Sequence, residues 1–186
     1  DLAAVVDLLA SQPEPVETSI GRVDYAVDIL APDFRLNADN FVIHSHTKRK
    51  SHQEVDVIRS VGTSGRTSSV TVGSNPNRQV IIYDKRQEVL GNPNKEFWWL
   101  LWDANLKKQG LPGLDPKNAA QSTIWRVELR AFKRYLKDVW NLRSWNQFDA
   151  KFGLVAAKIL TDFRYSAPTP DSNRSRWPNS ALWELV

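Results

Sequence analysis

The segment Val80-Ile81-Ile82-Tyr83-Asp84-Lys85-Arg86-Gln87-Glu88 sets a phenol two residues from an amine. On an extended strand such residues share a face about 6.6 Å apart, so the lysine can reach a phosphate that the tyrosine attacks. The chemistry on offer is transesterification of a phosphodiester through a covalent tyrosine intermediate. A phenol of ordinary pKa, about 10, is a poor nucleophile at neutral pH and needs a nearby cation or a metal-polarised target. Spacing alone favours the plainer reading, an exposed strand aromatic beside a solvated edge charge, because a Tyr-x-Lys pair is common.

Carboxylates add to the pattern. Asp24 and Asp28 fall four residues apart on one strand face, a separation of about 13 Å, so a regular strand lets only one of them be a primary ligand to a given cation. Arg126-x-Glu128 repeats the Arg22-x-Asp24 arrangement on a second alternating segment. Side by side, the two strands would gather carboxylates into an oxygen-rich site suited to Mg²⁺ or Mn²⁺. The same pattern serves equally as cross-strand salt bridges, and taken by itself it leans that way.

These side chains must be positioned by a sheet. Val23, Tyr25, Val27 and Ile29 alternate with Arg22, Asp24 and Asp28, which predicts a strand with a polar second face. Residues 41–43 and 69–73 read as short strands, and the turn Ser74-Asn75-Pro76-Asn77 leads into a strand over 79–85. Trp125, Val127 and Leu129 alternate with Arg126, Glu128 and Arg130 in a further strand over 124–131. Helical spacing predicts helices over 1–11, 95–109, 133–140 and 148–163. The hairpin makes the class α+β, a central, mainly antiparallel sheet flanked by helices. Residues 1–165 read as one domain and 166–186, rich in Pro, Ser and Asn, as a linker or tail.

The 186 residues suit one domain, and 41% hydrophobic content with eight Trp supplies a core rather than a disordered chain. The longest apolar run, residues 97–102, falls far short of the roughly 18 residues of a membrane span, so no membrane partner is expected. No Cys is present, which excludes a disulfide framework, a thiolate nucleophile and a Cys-ligated zinc, and is compatible with a cytoplasmic protein. Net charge is +4, which points to a polyanion only where the charge clusters. Lys48, Arg49, Lys50, Arg59 and Arg66 outnumber Glu54 and Asp56 in one connection, and Lys133, Arg134, Lys137 and Arg143 gather near Arg130. Met is absent, so a fragment with upstream sequence missing is expected.

Gly21-Arg22-Val23-Asp24-Tyr25-Ala26-Val27-Asp28, then Ile82-Tyr83-Asp84-Lys85-Arg86-Gln87-Glu88, then Trp125-Arg126-Val127-Glu128-Leu129 resemble, in order and spacing, the rolling-circle plasmid replication initiators of the Rep-trans type. Related proteins serve as relaxases of integrative elements and as replication initiators of filamentous phages. The resemblance covers roughly residues 18–163. It implies a site-specific DNA nickase and religase, an endonuclease distantly similar to the His-hydrophobe-His nucleases, in which Tyr83 joins the DNA 5′ phosphate. Lys85 is its expected catalytic partner. Asp24, Asp28 and Glu128 match the acidic motif positions, and ligation of Mg²⁺ or Mn²⁺ by them is inferred from their chemistry. Arg22, Lys48, Arg49, Lys50, Arg66, Arg86, Arg126, Arg130, Lys133 and Arg134 are the expected DNA contacts. Implied partners are origin DNA, single-stranded at the nick, a helicase and a second copy of the chain. Family members carry sequence before this point that completes the domain.

Other signals rank lower. His44-Ser45-His46 lacks the bulky central residue of the paired-histidine metal motif and reads as a polar loop. Trp98, Trp99 and Trp102 offer base stacking, but helical spacing favours buried core. Tyr135 is a second nucleophile candidate without adjacent carboxylates. Two further function classes compete with the nickase: a non-catalytic nucleic-acid-binding module, and a structural protein whose Arg and carboxylate pairs are salt bridges. The nickase reading requires the strands of Asp24 and Glu128 to be neighbours, with both carboxylates on the face of Tyr83.

Overall fold

Alternation over residues 22–30 becomes strand β1 (Arg22–Leu30), which turns Val23, Tyr25, Val27 and Ile29 toward the core. The computed structural model describes residue 11 and residues 19–44, 58–63 and 65–186. After β1 come β2 (Phe41–Ile43), β3 (Ile58–Thr63), β4 (Arg66–Gly73), β5 (Arg78–Asp84), α1 (Lys85–Leu90), α2 (Phe97–Lys108) and α3 (Ala119–Ser122). The rest is β6 (Ile124–Phe132), α4 (Lys133–Trp140), α5 (Trp145–Asp149), α6 (Phe152–Asp162) and β7 (Phe163–Tyr165). Five strands form an antiparallel sheet in the order β1-β6-β5-β4-β3, and β2 pairs with β7. The expected α+β class, an antiparallel sheet flanked by helices, is the observed one. The helix expected over 1–11 and the basic run Lys48, Arg49 and Lys50 lie outside the described residues, save residue 11.

One sheet face is the core. Val70, Val72, Val80, Ile82, Trp125, Val127, Leu129 and Ala131 are each 3% exposed or less, and they pack with Leu136 of α4, Phe148 of α5 and Val155 and Ile159 of α6. Burial of each large apolar side chain contributes about 1.5–3 kcal/mol, which makes this face the main source of stability. Period-two alternation then forces Asp24, Asp28, Tyr83, Arg126, Glu128 and Arg130 to the opposite face.

Gly73 closes the β4–β5 hairpin at φ +91°, where a Cβ would stand 2.3 Å from the Arg78 carbonyl oxygen. Gly73→Ala is therefore expected to cost about 2 kcal/mol or more. Urea unfolding should show this as a lowered midpoint at unchanged slope.

Three expectations are corrected. The strand expected through residue 85 stops at Asp84, because its carboxylate accepts a hydrogen bond from the Gln87 backbone N–H (3.0 Å) and caps α1, so Lys85 opens a helix. The helix expected over 148–163 is two helices: a Ser144–Gln147 capping box starts α5 early, and the chain leaves helical geometry before Phe152. Residues 166–186 are packed, not a loose tail. The Ala167 N–H bonds the Pro178 carbonyl (2.9 Å), Arg164 donates to the Ser175 and Trp177 carbonyls, and Leu182 and Trp183 enter the core at 5% exposure. No helix among the described residues is long and apolar enough to cross a membrane.

Candidate active site

Pairing register assembles the polar face. On β6, Arg126 lies opposite Asp28 of β1 and Tyr83 of β5, Glu128 opposite Ala26 and Ile81, and Arg130 opposite Asp24 and Gln79. The strands of Asp24 and Glu128 are thus neighbours, with both carboxylates on the face of Tyr83. The Tyr83 hydroxyl donates to Glu128 Oε1 at 2.9 Å, and Arg130 Nη2 donates to Glu128 Oε2 at 2.6 Å. Arg130 also approaches Asp24 (3.8 Å), which Arg22 pairs at 2.9 Å. Asp28 is held at both oxygens: Arg126 Nε and Nη2 donate at 2.5 and 2.7 Å, and Trp102 Nε1 at 2.8 Å.

Electrostatics follow from this packing. Burial raises the Tyr83 pKa above the ordinary phenol value, and the adjacent Glu128 carboxylate raises it further, so the resting hydroxyl keeps its proton and presents it to Glu128. Burial works against the charge on Arg126, but Asp28 outweighs it and raises the guanidinium pKa. Lys85 is buried with its ammonium 5.7 Å from the Tyr83 ring centroid and 5.1 Å from that of Trp98. It donates to Glu88, which also accepts from Lys95. Burial would raise the Glu88 pKa, but the two lysines hold it below the ordinary carboxylate value.

Among the described residues no three His, Asp or Glu side chains gather round one point. Mg²⁺ commonly takes one or two carboxylates and fills its other positions with water and phosphate oxygens. Asp24 and Glu128, which converge on one cationic group, the Arg130 guanidinium, have the donor chemistry for such an ion. Asp28 is held at both oxygens by Arg126 and Trp102, as Glu128 is by Tyr83 and Arg130, so either carboxylate would have to exchange a partner for the ion.

The expected DNA contacts divide. Arg22, Arg126 and Arg130 lie on the Tyr83 face. Arg86 is buried, donating to the Ser122 hydroxyl (3.3 Å) and the Pro116 carbonyl (2.8 Å), so it ties α1 to the segment before β6. Arg66 pairs with Asp84 at 3.0 Å and lies over the Trp125 ring, toward the core side. Lys133 donates to the Ser19 hydroxyl and Arg134 pairs with Asp138, both on α4, whose Tyr135 and Leu136 enter the core. Tyr135 is 3% exposed, which removes it as an accessible nucleophile. His44 accepts from Arg164 Nε at 3.0 Å, while Ser45 and His46 lie outside the described residues.

Sequence reasoning missed the cover of the site. As helical spacing expects, Trp102 is buried with Val89 and Ile124 in a second apolar cluster that Trp98 and Trp99 pack against; the same helix α2 also covers the polar face, with Arg126 4.3 Å from the Trp98 centroid. Two Trp at helical spacing carry no mark of the charged surface that they also cover.

No family model matches this chain, and no curated protein matches it. Among solved structures it is similar to that of a rolling circle replication initiator protein from Geobacillus stearothermophilus, at 16% identity and a TM-score of 0.41. The alignment covers 90% of this chain and 54% of that one, so the chain spans about half the length of the solved initiator.

Proposed function

We propose that this chain nicks and rejoins DNA as a rolling-circle replication initiator or relaxase of the Rep-trans type. The observation that carries the reading is the Tyr83 hydroxyl held 2.9 Å from Glu128 on a sheet face lined with arginines. Tyr83 Oη attacks the scissile phosphorus, its proton passes to Glu128, and the bond from phosphorus to the 3′ oxygen breaks. That oxygen leaves as a hydroxyl with a proton drawn from solvent, and the 5′ phosphate stays on Tyr83 until the reverse reaction restores the strand. Arg126 and Lys85 hold positive charge beside the phenol, where negative charge develops. Asp24 and Glu128 would hold Mg²⁺ or Mn²⁺, which when bound neutralises charge on the scissile phosphate. The test is incubation with labelled single-stranded DNA carrying the candidate origin and Mn²⁺. A labelled band that survives denaturation is the expected result, and its absence under every divalent cation would overturn the reading.

A second reading, a DNA-binding module without chemistry, is favoured by the pairing of each of the three carboxylates with an arginine. Both readings predict affinity that falls as salt rises, since cationic side chains on the Tyr83 face would displace condensed counterions. Titration across a salt series should give a negative slope of log affinity against log salt. A flat line would mean that these charges only pair with carboxylates. The adduct separates the two readings.

A further inference from the structure

The first turn of α2 leads from the candidate site out to solvent. Phe97 is 54% exposed, and its ring lies 5.1 Å from that of Trp98 at an interplanar angle of 33°. Trp98 in turn stacks on Trp102 (5.7 Å, 29°) and borders Arg126 and Lys85, the two cations nearest Tyr83. Lys95 stands in the turn just before, paired with the same Glu88 that holds Lys85. Phe97 thus meets these cations through Trp98, and an exposed aromatic ring at the end of an aromatic stack that borders cationic groups is a combination by which proteins hold unpaired bases, the ring taking the base and the cations the phosphates.

We infer that Phe97, supported by Trp98, is a stacking platform for an unpaired base of the DNA strand whose phosphate reaches Tyr83. The inference rests on the reading of Tyr83 as the nicking residue for its register along the strand. Its charge argument is independent of that reading. Duplex DNA does not suit the platform, because paired bases already stack on one another and present edges rather than faces. The partner is therefore single-stranded, and recognition by stacking tolerates any base.

The experiment compares binding of a thymidine oligonucleotide with that of an abasic deoxyribose-phosphate oligomer of equal length, both without divalent cation so that no cleavage intervenes. Phe97→Ala should weaken the thymidine oligonucleotide about tenfold, the scale of one lost base stack. It should leave the abasic oligomer at wild-type affinity, and Phe97→Tyr should restore the loss. Equal weakening of both probes, or none for either, overturns the platform. So does a wild-type dimer by light scattering that becomes a monomer in Phe97→Ala, which would assign the exposed ring to a second copy of the chain. Adduct formation is scored separately: a base-dependent platform in a protein that never forms the adduct would overturn the nicking reading and leave the platform standing.

Discussion

Tyr83→Phe is expected to abolish covalent attachment to DNA while fold and DNA binding persist. The substitution removes one oxygen and keeps the ring that packs beside Lys85. Its structural cost is one hydrogen bond to Glu128, a carboxylate that still holds Arg130, so stability should fall by about 1 kcal/mol. The chemical cost is complete, because a phenylalanine ring has no group able to form a phosphodiester. A denaturing gel with labelled single-stranded DNA reads the loss, and thermal unfolding confirms that the protein is intact. Undiminished cleavage by this variant would remove Tyr83 from the reaction.

Glu128→Gln is expected to have the next largest effect. Glutamine keeps the shape and an acceptor oxygen for the Tyr83 hydroxyl, but it cannot take the proton at neutral pH. It also leaves the Arg130 guanidinium without its 2.6 Å carboxylate partner. Loss of a positioned proton acceptor slows such reactions by about 10²–10⁴. Affinity for DNA should hold or rise, since one negative charge leaves a face that meets phosphates. Excess Mg²⁺ or Mn²⁺ should restore part of the rate if Glu128 also ligates the ion. Single-turnover cleavage at saturating DNA separates the two effects: a slowed rate with affinity intact marks a role in the reaction, whereas equal losses in binding and folding would mark Glu128 as a structural ion-pair member.

The parts of the site most legible in the sequence are those that follow from period two. Alternation in residues 22–30 and 124–132 puts Asp24 and Glu128 on faces opposite their apolar neighbours before any pairing is known. Helix α4 over Lys133–Trp140 is legible because its pattern follows directly on a strand of contrasting period. Register is not legible: only the sheet order β1-β6-β5 brings Asp24 and Tyr83 to the two flanks of β6. Lys85 reads as a strand residue because β-branched Val80, Ile81 and Ile82 speak for extension, and the capping by Asp84 depends on a hydrogen bond that composition does not reveal. Residues 166–186 read as a tail because Pro, Ser and Asn dominate them, although Leu182 and Trp183 near the end of the segment are buried in the core. The cover over the polar face is hidden for a similar reason, since a Trp-rich helix reads as core whether it packs on an apolar or a charged surface.

Location of the adduct is the most direct test of the account. The chain has four tyrosines, and trypsin places each in a different peptide, Tyr83 in residues 79–85. Mass spectrometry of the digested covalent complex should find the nucleotide mass on that peptide alone. An adduct on the peptide of Tyr25, Tyr135 or Tyr165, with residues 79–85 unmodified, would contradict it.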